Sequence, residues 1–343
     1  MADKIRVGVI GTGRIGRLHT EHLASRVPGA QVAAVSDVIK VAAEKCAADF
    51  NVPRSTDDYR RLLADRTIDA VAICSSTDTH AQMIVEAAAA GKHIFCEKPI
   101  ALDLALIDQA LAAVRDAGVK LQIGFNRRFD PNYRRVWELI RAGRVGDPHI
   151  LHIISRDPAP PPVAYVKVSG GIFLDMMIHD FDMARYLIGS EVDEVYTLAA
   201  VRVDPAIGQA GDFDTAVVAL RFANGVIGTI DNSRRAVFGY DQRVEVFGSG
   251  GMVRTDNNTP NTAVISGPDA VSEDLPLNFF MDRYIESYVR EMREFIRCVA
   301  ENQEPSVTGL DARAPVLIGK AARLSADQHR PVKIAEIVSR DMR

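Results

Sequence analysis

The sequence predicts an α/β protein in two parts: an N-terminal doubly wound parallel sheet, then an α+β domain on an open, mainly antiparallel sheet. Three observations carry this. Short apolar runs alternate with helical stretches over residues 1–124, the rhythm of βαβ units with right-handed crossovers. A Gly-x-Gly-x-x-Gly run follows the first apolar run and precedes a helical one. From about His149 onward, apolar and polar residues alternate between Asn-Gly and Gly-Gly turns, as in antiparallel strands. At 343 residues the chain is too long for one compact core and suits two domains. The expected division is 1–124 and 125–343.

Residues 6–10 read as a strand buried on both faces. The turn Gly11-Thr12-Gly13-Arg14-Ile15-Gly16 comes next, with a helix expected over 17–25. Gly11 permits the tight turn, Gly13 lets backbone approach a pyrophosphate, and Gly16 lets the helix sit close on the strand. Arg14 and Ile15 complete this candidate phosphate-binding turn of a Rossmann domain, where helix amides and dipole favour an anion. A strand over 32–36 ends at Asp37, where a carboxylate can accept from ribose hydroxyls and repel a 2′-phosphate. This favours NAD over NADP, although Lys40 nearby softens the discrimination and Asp37 could also be a surface residue ending a strand.

Further strands are expected at 70–73, 93–96 and 121–124, with helices at 79–90, capped by Asp78 or Thr79, and at 102–117. Two segments leave strands at the carboxyl edge, where open α/β sheets bind ligands. Ser75, Thr77 and His80 lie in the first, Glu97 and Lys98 in the second; all are candidate cofactor contacts. A lysine directly after a buried strand needs a partner or solvent, because desolvating its charge is costly. A functional ammonium and a solvated turn lysine both satisfy that.

In the second half, strands are expected at 149–155, 195–203, 215–222, 226–233, 242–247 and 263–266, with a proline-rich extended connector at 157–162. Helices at 282–301 and 311–325 should pack back between the domains. The chemistry candidate is the run from Gly170 to Asp182. A helix over 176–188, stopped by Gly189, would set Asp175 and His179 four apart and facing the same way. A carboxylate can orient an imidazole and stabilise its protonated form, as a general base requires. A capping aspartate beside a hydrogen-bonded core histidine is the alternative. A metal site is a second one, but His80, His93 and His179 are too dispersed to make it.

Lys+Arg 41 against Asp+Glu 45 gives a net charge of −4, which excludes the basic footprint of a nucleic-acid or membrane-surface binder. No apolar run reaches the roughly 20 residues needed to span a bilayer. Residues 1–4 enter a strand-like run at once, so no secretory signal is expected. Cys46, Cys74, Cys96 and Cys298 form no CxxC pair, pointing to a reducing cytoplasm.

Taken together, these residues resemble the glucose–fructose oxidoreductase and inositol dehydrogenase family over essentially the whole chain. The resemblance rests on the 11–16 turn, on Glu97-Lys98-Pro99, on the runs 124–130, 155–158 and 170–185, and on Gly239-Tyr240-Asp241-Gln242-Arg243. The Asp175-x-x-x-His179 segment is similar in wording to inositol 2-dehydrogenases. The resemblance implies Lys98, Asp175 and His179 as the catalytic set, NAD as cofactor without a metal, and a cyclitol or sugar substrate. It implies oxidation of a ring hydroxyl of myo-inositol, or of a close isomer such as scyllo-inositol, to an inosose. Asn126, Arg127, Asp157, Tyr240 and Tyr284 are candidate hydroxyl contacts, or else surface or interface polar groups. A homotetramer is expected, burying the free face of the second sheet. Another sugar or polyol such as an aldohexose, and a non-catalytic NAD-bound sensor, are the alternative readings.

Overall fold

The computed structural model describes residues 4–341. Six strands form the first sheet: β1 (Ile5–Ile10), β2 (Ala30–Ser36), β3 (Ser55–Thr56), β4 (Ala70–Ile73), β5 (His93–Glu97) and β6 (Leu121–Gly124). All neighbours run parallel, in the order β3-β2-β1-β4-β5-β6. A parallel sheet is covered on both faces, which is why β4 is four consecutive buried residues rather than an alternation. The order reverses between β1 and β4, and the carboxyl ends beside that reversal form the ligand crevice of doubly wound sheets.

Helices Arg14–Ser25, Lys40–Asp49, Thr77–Ala89 and Leu104–Ala117 connect these strands. The last begins two residues later than expected because Asp103 is its cap, accepting from the amides of Ala105 and Leu106. Likewise Ser76, not Asp78 or Thr79, is the cap residue of Thr77–Ala89, which places Thr79 inside the helix. Its hydroxyl turns back to donate to the Ser76 carbonyl at 2.7 Å. β3 and Lys40–Asp49 had no clear signal in the pattern.

The chain folds as two compact units. The first comprises the described residues through Phe129 together with Glu286–Ala314; the second comprises Asp130–Ile285 and the residues from Pro315 on. This departs from a single cut near Gly124 followed by one uninterrupted unit. Helix Ile285–Ala300 supplies Met292, Phe295 and Ile296 to the core that also holds Val7, Val9, Val35, Ala72 and Phe95. Its apolar stripe is part of the first sheet's covering layer, so the helix expected over 282–301 does return toward the N-terminal part of the chain and belongs to the first unit.

The second unit is built on β7 (Pro148–Arg156), β8 (Val192–Ala200), β9 (Thr215–Phe222), β10 (Ile227–Ser233), β11 (Asp241–Gly248) and β12 (Gly251–Thr255). A separate hairpin joins β13 (Val264–Ser266) to β14 (Val271–Glu273), so the expected 263–266 strand lies outside the main sheet. β15 (Val332–Lys333) completes the order β12-β11-β7-β10-β9-β8-β15. Only the β7–β10 pair is parallel among these neighbours. Asn224-Gly225 turns β9 into β10, with Gly225 at φ +89°. Strict alternation along β9 buries Val218 and Leu220 and exposes Val217. No described helix is long and apolar enough to cross a membrane.

Candidate active site

The glycine turn shows three different constraints. Gly11 sits at φ +90°, and a Cβ there would lie 2.6 Å from the Cys74 carbonyl oxygen at the end of β4. At Gly16 a Cβ would stand 1.8 Å from the Gly11 carbonyl oxygen. Gly13 is the opposite case, exposed and with nothing within 4 Å of such an atom. It caps the following helix with extended backbone and no side chain. That helix starts at Arg14 and not at residue 17, so Arg14 and Ile15 form its first turn, with amides that lack intrahelical partners. Open space, uncapped amides and no acidic residue in the first turn together fit the diphosphate of a dinucleotide.

Asp37 follows β2, which pairs with β1. Its Oδ2 accepts from the Thr12 amide at 2.7 Å and the Thr12 hydroxyl at 2.9 Å; its Oδ1 accepts from the Ile39 amide at 2.9 Å. The carboxylate is therefore pinned to the glycine turn, and with about four lone-pair sites it can accept once more. Lys40 pairs with Glu44 at 3.8 Å.

At the carboxyl end of β4, Ser75 bonds the Thr79 hydroxyl at 2.7 Å, and Thr77 opens the helix. His80 is buried, with its ring nitrogens 2.8 Å from the Pro99 carbonyl and 3.1 Å from the Ser75 carbonyl. Its ring thus ties the turn after β4 to the turn after β5. Glu97 ends β5, its Oε1 2.7 Å from His19 Nε2; Lys98 follows, half-buried, in a cis peptide with Pro99. Asn126 and Arg127 lie buried in a 3-10 turn after β6, where Asn126 donates to the Ser287 hydroxyl at 3.3 Å.

In the second unit, the helix expected over 176–188 starts two residues later, still stopped by Gly189, and is preceded by a separate wide turn. A π-helical turn, Ile172–Met176, closes with Met177 N–H donating to the Ile172 carbonyl at 2.8 Å, and an α-helix runs over Ile178–Ile188. Asp175 is in the wide turn and His179 in the first α-turn, so simple four-residue spacing does not describe them; π-turns recur at functional sites. Asp212 fixes the entry to this turn. It accepts from the Ile172 amide at 2.9 Å and would collide with a Cβ on Gly171. Burial pushes its carboxyl above the usual range. Asp175 Oδ1 accepts from the Tyr165 hydroxyl at 3.0 Å, and Oδ2 lies 3.6 Å from an Arg234 Nη2 that is 1% exposed.

Asp157 follows β7 and is held through its backbone by Ser233 and Ala236. Tyr240 and Tyr284 meet edge to face with ring centroids 6.0 Å apart. The Tyr284 hydroxyl donates to Gln242 Oε1 at 3.4 Å, and the ring is fully buried. Sequence reasoning missed Thr12, His19, Asp212 and Arg234. Only His19 carried a signal: it lies one turn beyond Gly16, on the face that glycine turns toward the sheet.

The sequence pattern of an oxidoreductase family with an NAD-binding Rossmann fold, GFO/IDH/MocA, matches residues 5–125, and that of the GFO/IDH/MocA C-terminal domain matches 133–254. A myo-inositol 2-dehydrogenase of Thermotoga maritima is 47% identical over 97% of this chain and 100% of its own length. An inositol 2-dehydrogenase of Rhizobium meliloti is 45% identical over 96% of this chain and 99% of its own. The crystal structure of scyllo-inositol dehydrogenase from Lactobacillus casei, with NAD(H) and scyllo-inositol bound, superposes with a TM-score of 0.91. It is 28% identical, covering 97% of this chain and 100% of that one.

Proposed function

This chain belongs to the GFO/IDH/MocA oxidoreductase family, and from that membership we propose that it is an NAD-dependent inositol 2-dehydrogenase. It oxidises a ring CH–OH of myo-inositol, or of a close isomer such as scyllo-inositol, to an inosose. The observation that carries this reading is the full-length likeness to inositol 2-dehydrogenases at 45–47% identity. Incubating the protein with NAD and following reduced-cofactor absorbance tests it, using myo-inositol, scyllo-inositol and common hexoses. Turnover with an inositol is expected. Turnover with hexoses alone would replace cyclitol by sugar, and tight NAD binding without turnover would make the protein a sensor.

In this reading the 1–124 region binds NAD and the later region binds the cyclitol. NAD when bound supplies the hydride acceptor. The Gly11–Gly16 turn, with Arg14 and Ile15, holds the diphosphate, and Asp37 holds the adenosine ribose. Ser75, Thr77, Glu97 and Lys98 serve the remainder of the dinucleotide, and His80 holds the turns that carry them. His179 takes the proton of the reacting hydroxyl. Asp175 fixes the imidazole tautomer and steadies the imidazolium, with the Arg234 guanidinium beside its other oxygen. Lys98 donates to the reacting oxygen or a neighbouring hydroxyl, damping developing charge. Asn126, Arg127, Asp157 and Tyr240 pair the other hydroxyls, since each one left unpaired in a closed site costs about 1–3 kcal/mol. Tyr284 backs Tyr240.

Replacing Asp37 with Ser is expected to weaken NAD and relax exclusion of NADP. Because Asp37 also anchors Thr12, some loss for both cofactors will accompany the change. The readout is therefore the NAD/NADP ratio of kcat/KM, and an unchanged ratio would remove Asp37 from ribose recognition. The protein works in the cytoplasm as a homotetramer. What supports the assembly is the sheet face exposing Tyr196, Leu198, Val217, Ile227, Phe247 and Met252, an apolar patch of a kind soluble monomers rarely carry. Light scattering is expected to give four chains per particle; a monomeric mass at working concentration would defeat the assignment.

A further inference from the structure

The end of β5 holds a buried charge cluster that the transfer chemistry does not use. His19 is fully buried, its ring edge-on against Phe95 and Tyr288 at centroid distances of 5.0 and 5.6 Å. It contacts Glu97 directly. Glu97 stands opposite Gly124 in the sheet register, where a Cβ would come within 2.8 Å of Glu97 Oε2. Glu291, fully buried on helix Ile285–Ala300, enters the same cluster. One ligand-type atom from each of His19, Glu97 and Glu291 lies within 4.8 Å of the others. Neither carboxylate oxygen of Glu291 has a hydrogen-bond partner among the described residues.

Two ionised carboxylates so close, Glu291 fully buried and Glu97 only partly exposed, would repel one another strongly. Burial, then the nearby Glu97 and Glu294, pushes the Glu291 carboxyl well above its usual range. Among the described residues, burial pushes the Cys74 thiol beside Glu291 up, and burial with His19 lowers the His22 pKa to about 4, so neither adds a cation there. Gln122, whose side-chain amide donates to the Glu291 carbonyl at 2.9 Å, carries no charge. A metal ion would be the other means of neutralisation. Against it, His19 Nε2 is already at hydrogen-bond distance from Glu97, and His19 Nδ1 has no partner among the described residues. A ligating histidine almost always donates its second ring N–H to an acceptor.

We propose that Glu291 works as a protonated, neutral carboxylic acid and that, with His19, it positions Glu97 and thereby Lys98, the next residue. A proton on Glu291 replaces a repelling charge by an O–H donor near the Glu97 carboxylate. The end of β5 is then held from helix Arg14–Ser25 on one side and from helix Ile285–Ala300 on the other. The role assigned to Glu291 rests on the reading of Lys98 as the donor to substrate oxygen.

The test uses the full chain with E291Q and E291L. An infrared difference spectrum, native minus E291Q at neutral pH, is expected to contain the C=O stretch of a protonated carboxyl group. E291Q, neutral and still a donor, is expected to keep kcat and its pH profile within about threefold, whereas E291L, by displacing Glu97 and Lys98, lowers kcat about tenfold and also raises KM for NAD. Absence of the protonated-carboxyl band, equal damage by E291Q and E291L, or one tightly bound metal per chain would each overturn the proposal. The infrared arm needs no turnover, so a native enzyme inactive on inositols would sink the functional reading and leave the state of Glu291 measurable. If E291L does not fold, E291Q kinetics and the spectrum still decide.

Discussion

His179→Ala is expected to lower turnover by roughly 10²–10⁴ while leaving NAD affinity near its native value. The magnitude is that of removing a positioned base from a step in which an alcohol must lose its proton. The selectivity for kcat follows from placement: His179 lies in the second unit, whereas the diphosphate turn and Asp37 lie in the first. Packing should suffer little. The helix Ile178–Ile188 is seated by Ile178, Phe181, Met183, Leu187 and Ile188, all buried, and His179 is only half-buried among them. The acid limb of the kcat/KM profile should flatten, since the group that must be deprotonated is gone. Binding isotherms for NAD beside steady-state rates check this, and a parallel loss of NAD binding would make His179 a structural residue.

How much of this was legible in the sequence depends on whether each feature is set locally. The glycine turn was, because strand, glycines and helix are contiguous and each glycine has its own steric reason. The βαβ order and the mostly antiparallel second sheet were legible too, since burial alternation follows directly from residue order. The start of the first helix at Arg14 was not, because an extended glycine cap carries no side-chain signature. Nor was the π-turn at Ile172–Met176. It depends on Asp212, forty residues downstream, which holds the Ile172 amide. The return of the late helix was expected, but that Ile285–Ala300 joins the first core, and brings Glu291 with it, depends on long-range contacts that no local pattern specifies. The candidate dyad was found by residue type and spacing, but the spacing argument assumed an α-helix that the structure replaces at Asp175.

Gly16→Ala is expected to weaken NAD binding by about 10²-fold or more and to destabilise the first unit by roughly 1–3 kcal/mol. The added methyl would stand 1.8 Å from the Gly11 carbonyl oxygen and 3.3 Å from the Cys74 side chain, so it cannot be absorbed by a rotamer change. The helix must lift off the turn, carrying its N-terminal amides away from the diphosphate. Losing two charge-assisted hydrogen bonds, at about 1.5–3 kcal/mol each, accounts for a loss of that size. Gly13→Ala separates the two consequences. Its backbone is at φ −65°, ordinary for alanine, and its Cβ would meet nothing within 4 Å. That variant should therefore melt close to the native temperature yet bind NAD poorly, because the methyl occupies space left for the ligand. Calorimetric melting and NAD titration of both variants check the pair. Native-like NAD affinity in Gly13→Ala would show that the diphosphate does not approach this turn, and the cofactor assignment for the glycine motif would fall with it.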